Sequence, residues 1–351
     1  MSSPSRDPLA GKLPVTLITG FLGSGKTTLI GRLLRHPAMN RVAVVINEVG
    51  EIGIDHDLVA MSTENVSLLA NGCLCCTVRT DLQDTLRQLF GQRRAGQIAD
   101  FDRVVIETSG LADPSPVIQT LASDTLLGAQ YRLDGVVTLV DAVNGLRQLT
   151  DSPEAEKQAA VADLIVITKE DLAAPEAVEP LLAALQTINS HAALRHSHQG
   201  DLEPAELIGL GLASARAGSG TLRFLGELDP QRAEAGSSSG AYLGQRLPAQ
   251  HDSAVRTLSL RFDKPFDWTS FAAAMDMVIS LRGPDLLRVK GIVNVEGQPV
   301  VVQAVQHIMH PPVTLDRWPS DDQETRLVFI TRNIRAEVIR ALFDAVGAMR
   351  A

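Results

Sequence analysis

All three cysteines of this 351-residue chain lie in one short segment, NGCLCCTVRT. Cys73, Cys75 and Cys76 are too close together to bridge one another without strain. Three thiolates on one loop would instead converge on a soft or borderline cation, and Zn²⁺ would need a fourth ligand from histidine, carboxylate or water. The alternative is a cluster of small buried side chains, because free cysteine packs well in cores. Glycine and polar neighbours are typical of a loop leading into a helix near Asp81, and this context favours a metal site.

A second motif, GFLGSGKTT from Gly20 to Thr28, has the spacing G-x-x-x-x-G-K-[ST] of a phosphate-binding loop. Its glycines would let successive backbone N–H groups point at phosphate oxygens, and the following helix would add its positive dipole end. Lys26 would contact the β- and γ-phosphates, and the Thr27 hydroxyl would ligate Mg²⁺. We expect the nucleotide to be bound by Gly23, Ser24, Gly25, Lys26, Thr27 and Thr28.

A carboxylate that supports Mg²⁺ should follow a neighbouring strand, and RVVIETSG supplies Glu107 after an apolar run. Gly110 comes three residues later, where its backbone amide could sense the γ-phosphate. The alternative is that Glu107 only caps the next helix. We therefore expect Lys26, Thr27 and Glu107 to form the catalytic set, with Thr27 and Glu107 as the magnesium ligands.

The segment LIVITKEDL predicts which base is bound, because an apolar strand ends in Thr168, Lys169, Glu170 and Asp171. An aspartate at Asp171 would accept hydrogen bonds from the N1–H and amino group of guanine, which adenine does not offer. The Lys169 stem would lie along the base, and Thr168 stands where the usual guanine motif has Asn. The alternative is a charged helix start that favours Asp171 for its dipole. We expect GTP rather than ATP.

These motifs each follow a short apolar run, and amphipathic helical patterns separate the runs. Strands that alternate with helices predict an α/β fold with a doubly wound, mostly parallel sheet, in which ligands bind beyond the carboxyl ends of the strands. The predicted strands are Val15–Thr19, Val42–Ile46, Val66–Leu69, Val104–Ile106, Val136–Val140 and Leu164–Thr168.

The chain divides into three predicted regions. Residues 1–213 form the phosphate-loop domain, and residues 214–253 are rich in glycine and small polar residues, as in a flexible linker. Residues 254–351 predict a small α+β domain with a hairpin that turns at Glu296–Gly297 and a closing helix from Arg335 to Met349. A net charge of −9 argues against a nucleic-acid or anionic-membrane partner. Without a disulfide framework, signal peptide or membrane span, we expect a cytoplasmic protein, as a monomer or weak homodimer.

The motifs GFLGSGKTT, INEVGEIGID, NGCLCCTVR, VVIETSGLADP and ITKEDL, in this order, resemble the CobW-like metallochaperone GTPases. The segment GIVNVEGQPVVVQAVQHIMHPP resembles their second domain, so the resemblance covers nearly the whole chain. It implies a P-loop GTPase that binds Zn²⁺, or sometimes Co²⁺, and delivers the metal to a client metalloprotein under control of GTP hydrolysis.

The resemblance also implies site residues. Cys73, Cys75 and Cys76 match the metal-binding cysteines of the family, and Glu48 matches a switch-region acid that would be the fourth ligand. Glu51 is a less certain acid of the same switch, and solvated loop charge is the alternative for both. Many relatives carry a His-rich tract before the second domain, where this chain has only His251.

Other histidines give weaker signals. A cluster at His191, His196 and His198 predicts a guanine-side loop or a surface strand in preference to a metal site. His307 and His310, beside two prolines, predict a structural role.

Three other functions stay open from sequence. The first is a GTPase with redox-sensing cysteines and no metal, and the second is a non-enzymatic assembly factor that binds nucleotide structurally. The third lies within the family and is cobalt handling for cobalamin synthesis or activation of a metalloenzyme such as nitrile hydratase. Cysteine-to-serine substitution, metal analysis and stimulated hydrolysis would separate them.

Overall fold

The computed structural model describes residues 11–39, 41–47, 66–68, 74–78, 82–211 and 255–348. The predicted linker 214–253 lies outside them. In the first region the strands are β1 (Leu13–Gly20), β2 (Val42–Asn47), β3 (Val66–Leu68), β4 (Leu74–Val78), β5 (Arg103–Thr108), β6 (Tyr131–Asp141), β7 (Leu164–Thr168) and β8 (Ala193–Ser197). The helices are α1 (Lys26–Leu33), α2 (Leu82–Arg94), α3 (Ser115–Ser123), α4 (Thr125–Gln130), α5 (Gly145–Asp151), α6 (Pro153–Ala160), α7 (Pro175–Ile188) and α8 (Pro204–Leu207).

Within the described ranges these strands form one sheet in the order β3-β4-β2-β5-β1-β6-β7-β8. All neighbours are parallel except β3 and β4, which are antiparallel. Alternate buried residues of a strand face opposite sides of the sheet, and helices pack against both sides. Val44 packs in the same cluster as Leu29 of α1, whereas Val45 packs in the cluster that contains Leu86 of α2. The predicted doubly wound, mostly parallel fold is therefore confirmed.

The second region is an antiparallel sheet with two helices. Its strands are β9 (Val255–Phe262), β10 (Leu286–Val295), β11 (Gln298–Val305), β12 (Ile308–Met309), β13 (Val313–Thr314) and β14 (Thr325–Arg332), and its helices are α9 (Trp268–Arg282) and α10 (Ala336–Ala348). Strands β10 and β11 make the predicted hairpin, with positive φ at Glu296 and Gly297. Asp267 caps α9 by accepting from the Ser270 N–H at 2.9 Å. None of the helices in the described ranges is long and apolar enough to span a bilayer.

The two sheets meet at a buried ion cluster, which we call the junction cluster and define as Asp163, Arg288 and Lys290. Asp163 immediately precedes β7, and its Oδ1 accepts from the Arg288 Nη2 at 2.6 Å and from the Lys290 ammonium. The other carboxylate oxygen accepts from the Val136 N–H at 2.8 Å. Burial alone would raise the pKa of Asp163, but the charges of Arg288 and Lys290 lower it below the usual value. The C-terminal domain is thus attached near the amino end of β7, beside the middle of β6.

Candidate functional site

The phosphate loop connects the carboxyl end of β1 to α1. Gly23 and Gly25 have φ of 74° and 94°, and Gly25 is the residue that caps α1. These are left-handed values that favour glycine, so the sharp turn requires these residues. Within the loop the Ser24 side chain is fully buried, whereas Thr27 and Thr28 are exposed at the start of the helix. The backbone therefore has the tight turn that the motif predicts.

Lys26 folds its ammonium back over this loop. Its Nζ donates to the backbone oxygen of Gly20 at 2.7 Å and of Phe21 at 3.1 Å. Only 8% of the residue is exposed. The charge is therefore concentrated within the loop itself, where phosphate oxygens would compete with these two carbonyls for it.

Two oxygen atoms face each other beside the loop. The Thr27 Oγ1 lies 3.5 Å from the Oε1 of Glu107, at the carboxyl side of β5. Glu107 is 2% exposed and stands in register with Ile18 of β1. A hydroxyl and a carboxylate are hard oxygen ligands of the kind that Mg²⁺ prefers, so this pair fits the predicted magnesium site.

Gly110 packs directly on the phosphate loop. A Cβ added to Gly110 would lie 2.7 Å from both the backbone nitrogen and the Cδ2 of Leu22, so only glycine permits this approach. The side-chain amide of Gln158 donates to the Gly110 carbonyl at 3.1 Å and fixes the segment from α6. The structure thus brings Gly110 to the loop, as its predicted role requires.

Thr168 connects the predicted base motif to the same loop. Its Oγ1 donates to the backbone oxygen of Ser24 at 2.9 Å, with the Val140 carbonyl at 3.3 Å as a second acceptor. The residue is 6% exposed. A threonine in the position where the usual motif has Asn therefore holds β7 against the phosphate loop.

Lys169 meets a carboxylate that the sequence reasoning missed. Its φ of 59° is left-handed, and its Nζ donates to the Oδ2 of Asp141 at 2.9 Å. Burial would raise the pKa of Asp141, but hydrogen bonds from Lys169, Asn144 and Val143 hold it below the usual value. Asp141 is the last residue of a strand that the sequence predicts. A carboxylate at the end of a predicted strand is also the signal that identifies Glu107, so the same signal could have identified Asp141.

The acidic residues of the motif lie beside the end of β8. His196 Nδ1 is 2.6 Å from the Glu170 Oε1, and His198 Nδ1 is 3.4 Å from the Asp171 Oδ1. The Asp171 side chain is 36% exposed and open to solvent. His196 is thus on β8 and His198 directly follows it, beside the acidic residues of the predicted base motif.

His191 and His310 lie at the domain junction. The His191 Nε2 is 3.4 Å from the Ser259 Oγ of β9. His310 lines a cavity between the two domains, and burial followed by the charge of Arg288 lowers its pKa to about 4. A neutral, enclosed imidazole agrees with the structural role predicted for His310.

The cysteine motif differs from the predicted loop. Cys75 and Cys76 lie within β4, in register with Val44 and Val45 of β2. The preceding strand β3 is antiparallel to β4, so its carboxyl end lies away from the phosphate loop, unlike the carboxyl ends of the parallel strands. It is Val78, two residues after Cys76, that ends β4 level with Asn47. Cys75 and Cys76 therefore belong to a strand within the sheet, and not to a loop beyond its carboxyl edge.

The other predicted zinc ligands, Cys73 and Glu48, lie outside the described residues, as do Glu51 and His251. Among the residues that the structure describes, no three His, Cys, Asp or Glu side chains are placed to hold a metal ion together. The zinc ligand set therefore stays a prediction.

Two family models match the chain. The model for the CobW/HypB/UreG nucleotide-binding domain covers residues 14–195, and the model for the cobalamin synthesis protein cobW C-terminal domain covers residues 255–347. The chain belongs to the CobW family. The predicted resemblance to this family is thus confirmed, and the phosphate loop and the base motif lie inside the first match.

Individual relatives agree with this assignment over most of the chain. The zinc chaperone YjiA of Escherichia coli (strain K12) is 33% identical over 334 residues, which cover 94% of this chain and 98% of the relative. The zinc chaperone CobW of a Sinorhizobium species is 30% identical over 327 residues, covering 84% and 86%. The structure of Zn(II)-bound YjiA GTPase from E. coli superposes with a TM-score of 0.70 at 30% identity, covering 95% of this chain and 99% of that one.

Proposed function

We propose that this CobW-family chain is a GTP-hydrolysing metallochaperone that binds Zn²⁺ through its cysteine motif and transfers it to a client metalloprotein. The observation that carries the proposal is the sheet register, because the cysteine strand and the Glu107 strand are both hydrogen-bonded to β2. The YjiA and CobW relatives are named zinc chaperones, and YjiA is also named a GTPase, which supports both halves of the proposal.

The nucleotide half uses groups already in place. Lys26 would exchange its two loop carbonyls for the β- and γ-phosphates, and Thr27 with Glu107 would hold Mg²⁺, which supplies charge neutralisation during phosphoryl transfer. Asp171, exposed beyond β7, would accept from the guanine edge. Because Thr168 is bonded to the loop, phosphate and base recognition would be coupled mechanically.

The metal half follows from backbone positions. Cys76 is in register with Val45, which is in register with Ile106, the residue before Glu107. Two strand spacings amount to roughly 10 Å, so the cysteine strand runs close beside the strand that supports Mg²⁺. Cys73, Cys75, Cys76 and Glu48 would form a three-thiolate, one-carboxylate set that suits Zn²⁺, and Co²⁺ accepts the same ligands.

Coupling between the two sites is the testable core of this proposal. If GTP and Zn²⁺ bias one switch, each must change the affinity of the other by the same factor. Zn²⁺ affinity should be measured on the full chain by competition with a chromophoric chelator, with Mg²⁺ and either GDP or a non-hydrolysable GTP analogue. We expect a difference of about fivefold or more between the two nucleotide states, as is typical of coupled sites.

Cys75→Ser is the matched variant for this measurement. It should weaken Zn²⁺ binding in both nucleotide states while GDP affinity without metal stays at the wild-type value. Equal Zn²⁺ affinities in the two states would refute the coupling. Unchanged Zn²⁺ affinity in Cys75→Ser, together with altered thiol oxidation, would favour a redox-sensing GTPase instead.

A further inference from the structure

We infer that Asp141 is a positioning residue for guanine recognition, acting through Lys169. The inference rests on the proposed guanine site, whose base-binding residues are Lys169 and Asp171. Asp141 is the last residue of β6 and is in register with Thr168, the first residue of the base motif. It is 1% exposed, so it is a buried carboxylate at the edge of the nucleotide site.

Asp141 is itself rigidly held by four hydrogen bonds. Its Oδ1 accepts from the backbone N–H of Val143 at 2.8 Å and of Asn144 at 3.3 Å. Its Oδ2 accepts from the Asn144 side-chain amide at 3.3 Å and from the Lys169 ammonium at 2.9 Å. Each oxygen therefore has two protein donors. Asp141 does not need the nucleotide as a partner and acts on it through Lys169.

Lys169 requires such an anchor. Its φ of 59° is costly for a residue with a side chain and persists only where the surroundings enforce it. Lysine also has a long, flexible stem that would otherwise sample many rotamers. The Ala142 N–H donates to the Thr168 carbonyl at 2.8 Å and places the two strand ends side by side. The ion pair across these ends then fixes the stem at the floor of the base site.

The Asp141–Lys169 ion pair also bears on base specificity, through the position of Asp171. Asp171 lies two residues after Lys169, on the short turn that begins at this left-handed residue. If Lys169 were released, the turn would lose its fixed conformation, and Asp171 would lose its fixed position relative to the guanine amino group. Discrimination between GTP and ITP measures this contact, because ITP lacks that amino group.

The experiment compares Asp141→Asn with Asp134→Asn in the full chain. Asp134 lies nearer the amino end of the same strand, is 2% exposed, and is paired with Arg103 and Arg132 at 3.2 and 3.3 Å. It is thus a matched buried carboxylate far from the base motif. We expect Asp141→Asn to weaken binding of a fluorescent GDP analogue by about tenfold and to reduce GTP-over-ITP discrimination. Asp134→Asn should change neither by more than about twofold.

A double-mutant cycle tests whether Asp141 acts through Lys169. Lys169→Met should lose about as much affinity as Asp141→Asn, and the double variant should bind no more weakly than Lys169→Met alone. Multiplicative losses in the double variant, or wild-type affinity in Asp141→Asn, would overturn the inference.

Lys169→Arg keeps the test decisive if Asp141→Asn does not fold. Arginine preserves a cation for Asp141, so it should retain affinity within about threefold, in contrast to Lys169→Met. Equal behaviour of the Arg and Met variants would show that the ion pair does not matter. If the wild-type chain itself binds no guanine nucleotide, the proposed function fails, which is a different outcome from a silent Asp141 substitution.

Discussion

The two ends of strand β7 carry charges that are arranged in opposite ways. Before its amino end, the junction cluster buries Asp163, Arg288 and Lys290, whose side chains are 3%, 2% and 8% exposed. At its carboxyl end, Lys169 and Asp171 are 37% and 36% exposed. The first set of charges is satisfied within the protein, whereas the second keeps surface free for a ligand. One short strand thus separates charges that join the two domains from charges that we propose recognise the guanine base.

This difference has an energetic consequence. Buried ions lose their hydration and depend on their partners, so removal of one partner is expensive. Partly exposed ions retain water as an alternative, so their removal affects binding more than folding. Substitutions at the two ends of β7 should therefore separate stability from nucleotide recognition.

The largest expected effect is at the junction. Asp163→Asn would remove the carboxylate that neutralises the buried Arg288 and Lys290, and we expect a loss of about 3–5 kcal/mol in the free energy of unfolding. Asp201→Asn is the matched control, because Asp201 is 85% exposed and 3.9 Å from Arg32, where the expected loss is below about 1 kcal/mol. Urea unfolding measures both. Equal stability of the two variants would mean that the junction cluster does not hold the domains.

The second-largest effect is expected at the phosphate loop, where a substitution should impair GTP hydrolysis far more than stability. Lys26→Met keeps the apolar stem and removes the charge from the phosphate loop, so GTP hydrolysis should fall by about 10²–10³-fold. The free energy of unfolding should change by only about 1 kcal/mol, because the hydrogen bonds that the ammonium donates to the Gly20 and Phe21 carbonyls contribute little to stability on balance. Steady-state hydrolysis and urea unfolding on the same preparation test the contrast. A variant that hydrolyses GTP normally would contradict the role given to Lys26.

The same contrast explains what sequence could predict. The phosphate loop, Glu107 and the base motif are local patterns whose spacing reflects one ligand, and each follows an apolar run that forms a strand. The junction cluster joins residues 125 positions apart, Asp163 and Arg288, and no local pattern announces such a pair. Asp141 was missed for a related reason, since its partner Lys169 lies 28 positions away.

The cysteine motif shows a different limit. LCCTV is a continuous apolar run, and cysteine behaves in a core as a small hydrophobic residue, so the pattern equally predicts a buried strand. The neighbouring glycine and polar residues, by contrast, favour a loop, which is the prediction made from the sequence. The structure instead pairs Cys75 and Cys76 with β2, and strand pairing over several residues is a long-range effect that this short window does not reveal.

The smallest expected effect concerns the proton on Lys290. Burial lowers the pKa of Lys290 from 10.5 to about 8, although Asp163 acts in the opposite direction. Between these two values the unfolded chain binds more protons than the folded one, so this lysine makes stability rise with pH. Below about pH 8 the folded protein holds a charged lysine at a cost. Because Asp163 would still be paired with Arg288, Lys290→Met should be neutral or stabilising near pH 7.

This advantage of Lys290→Met should shrink as the wild-type lysine loses its proton. Between pH 7 and 9.5 the difference in unfolding free energy between Lys290→Met and the wild type should change by about 1–2 kcal/mol in favour of the wild type. Urea unfolding of both proteins at each pH and at constant ionic strength measures it, and effects of other titrating groups cancel in the difference. A difference that does not vary with pH would mean that Lys290 keeps its proton throughout. The attraction of Asp163 would then outweigh the effect of burial on the pKa of Lys290. The junction cluster would in that case behave as an ordinary ion pair.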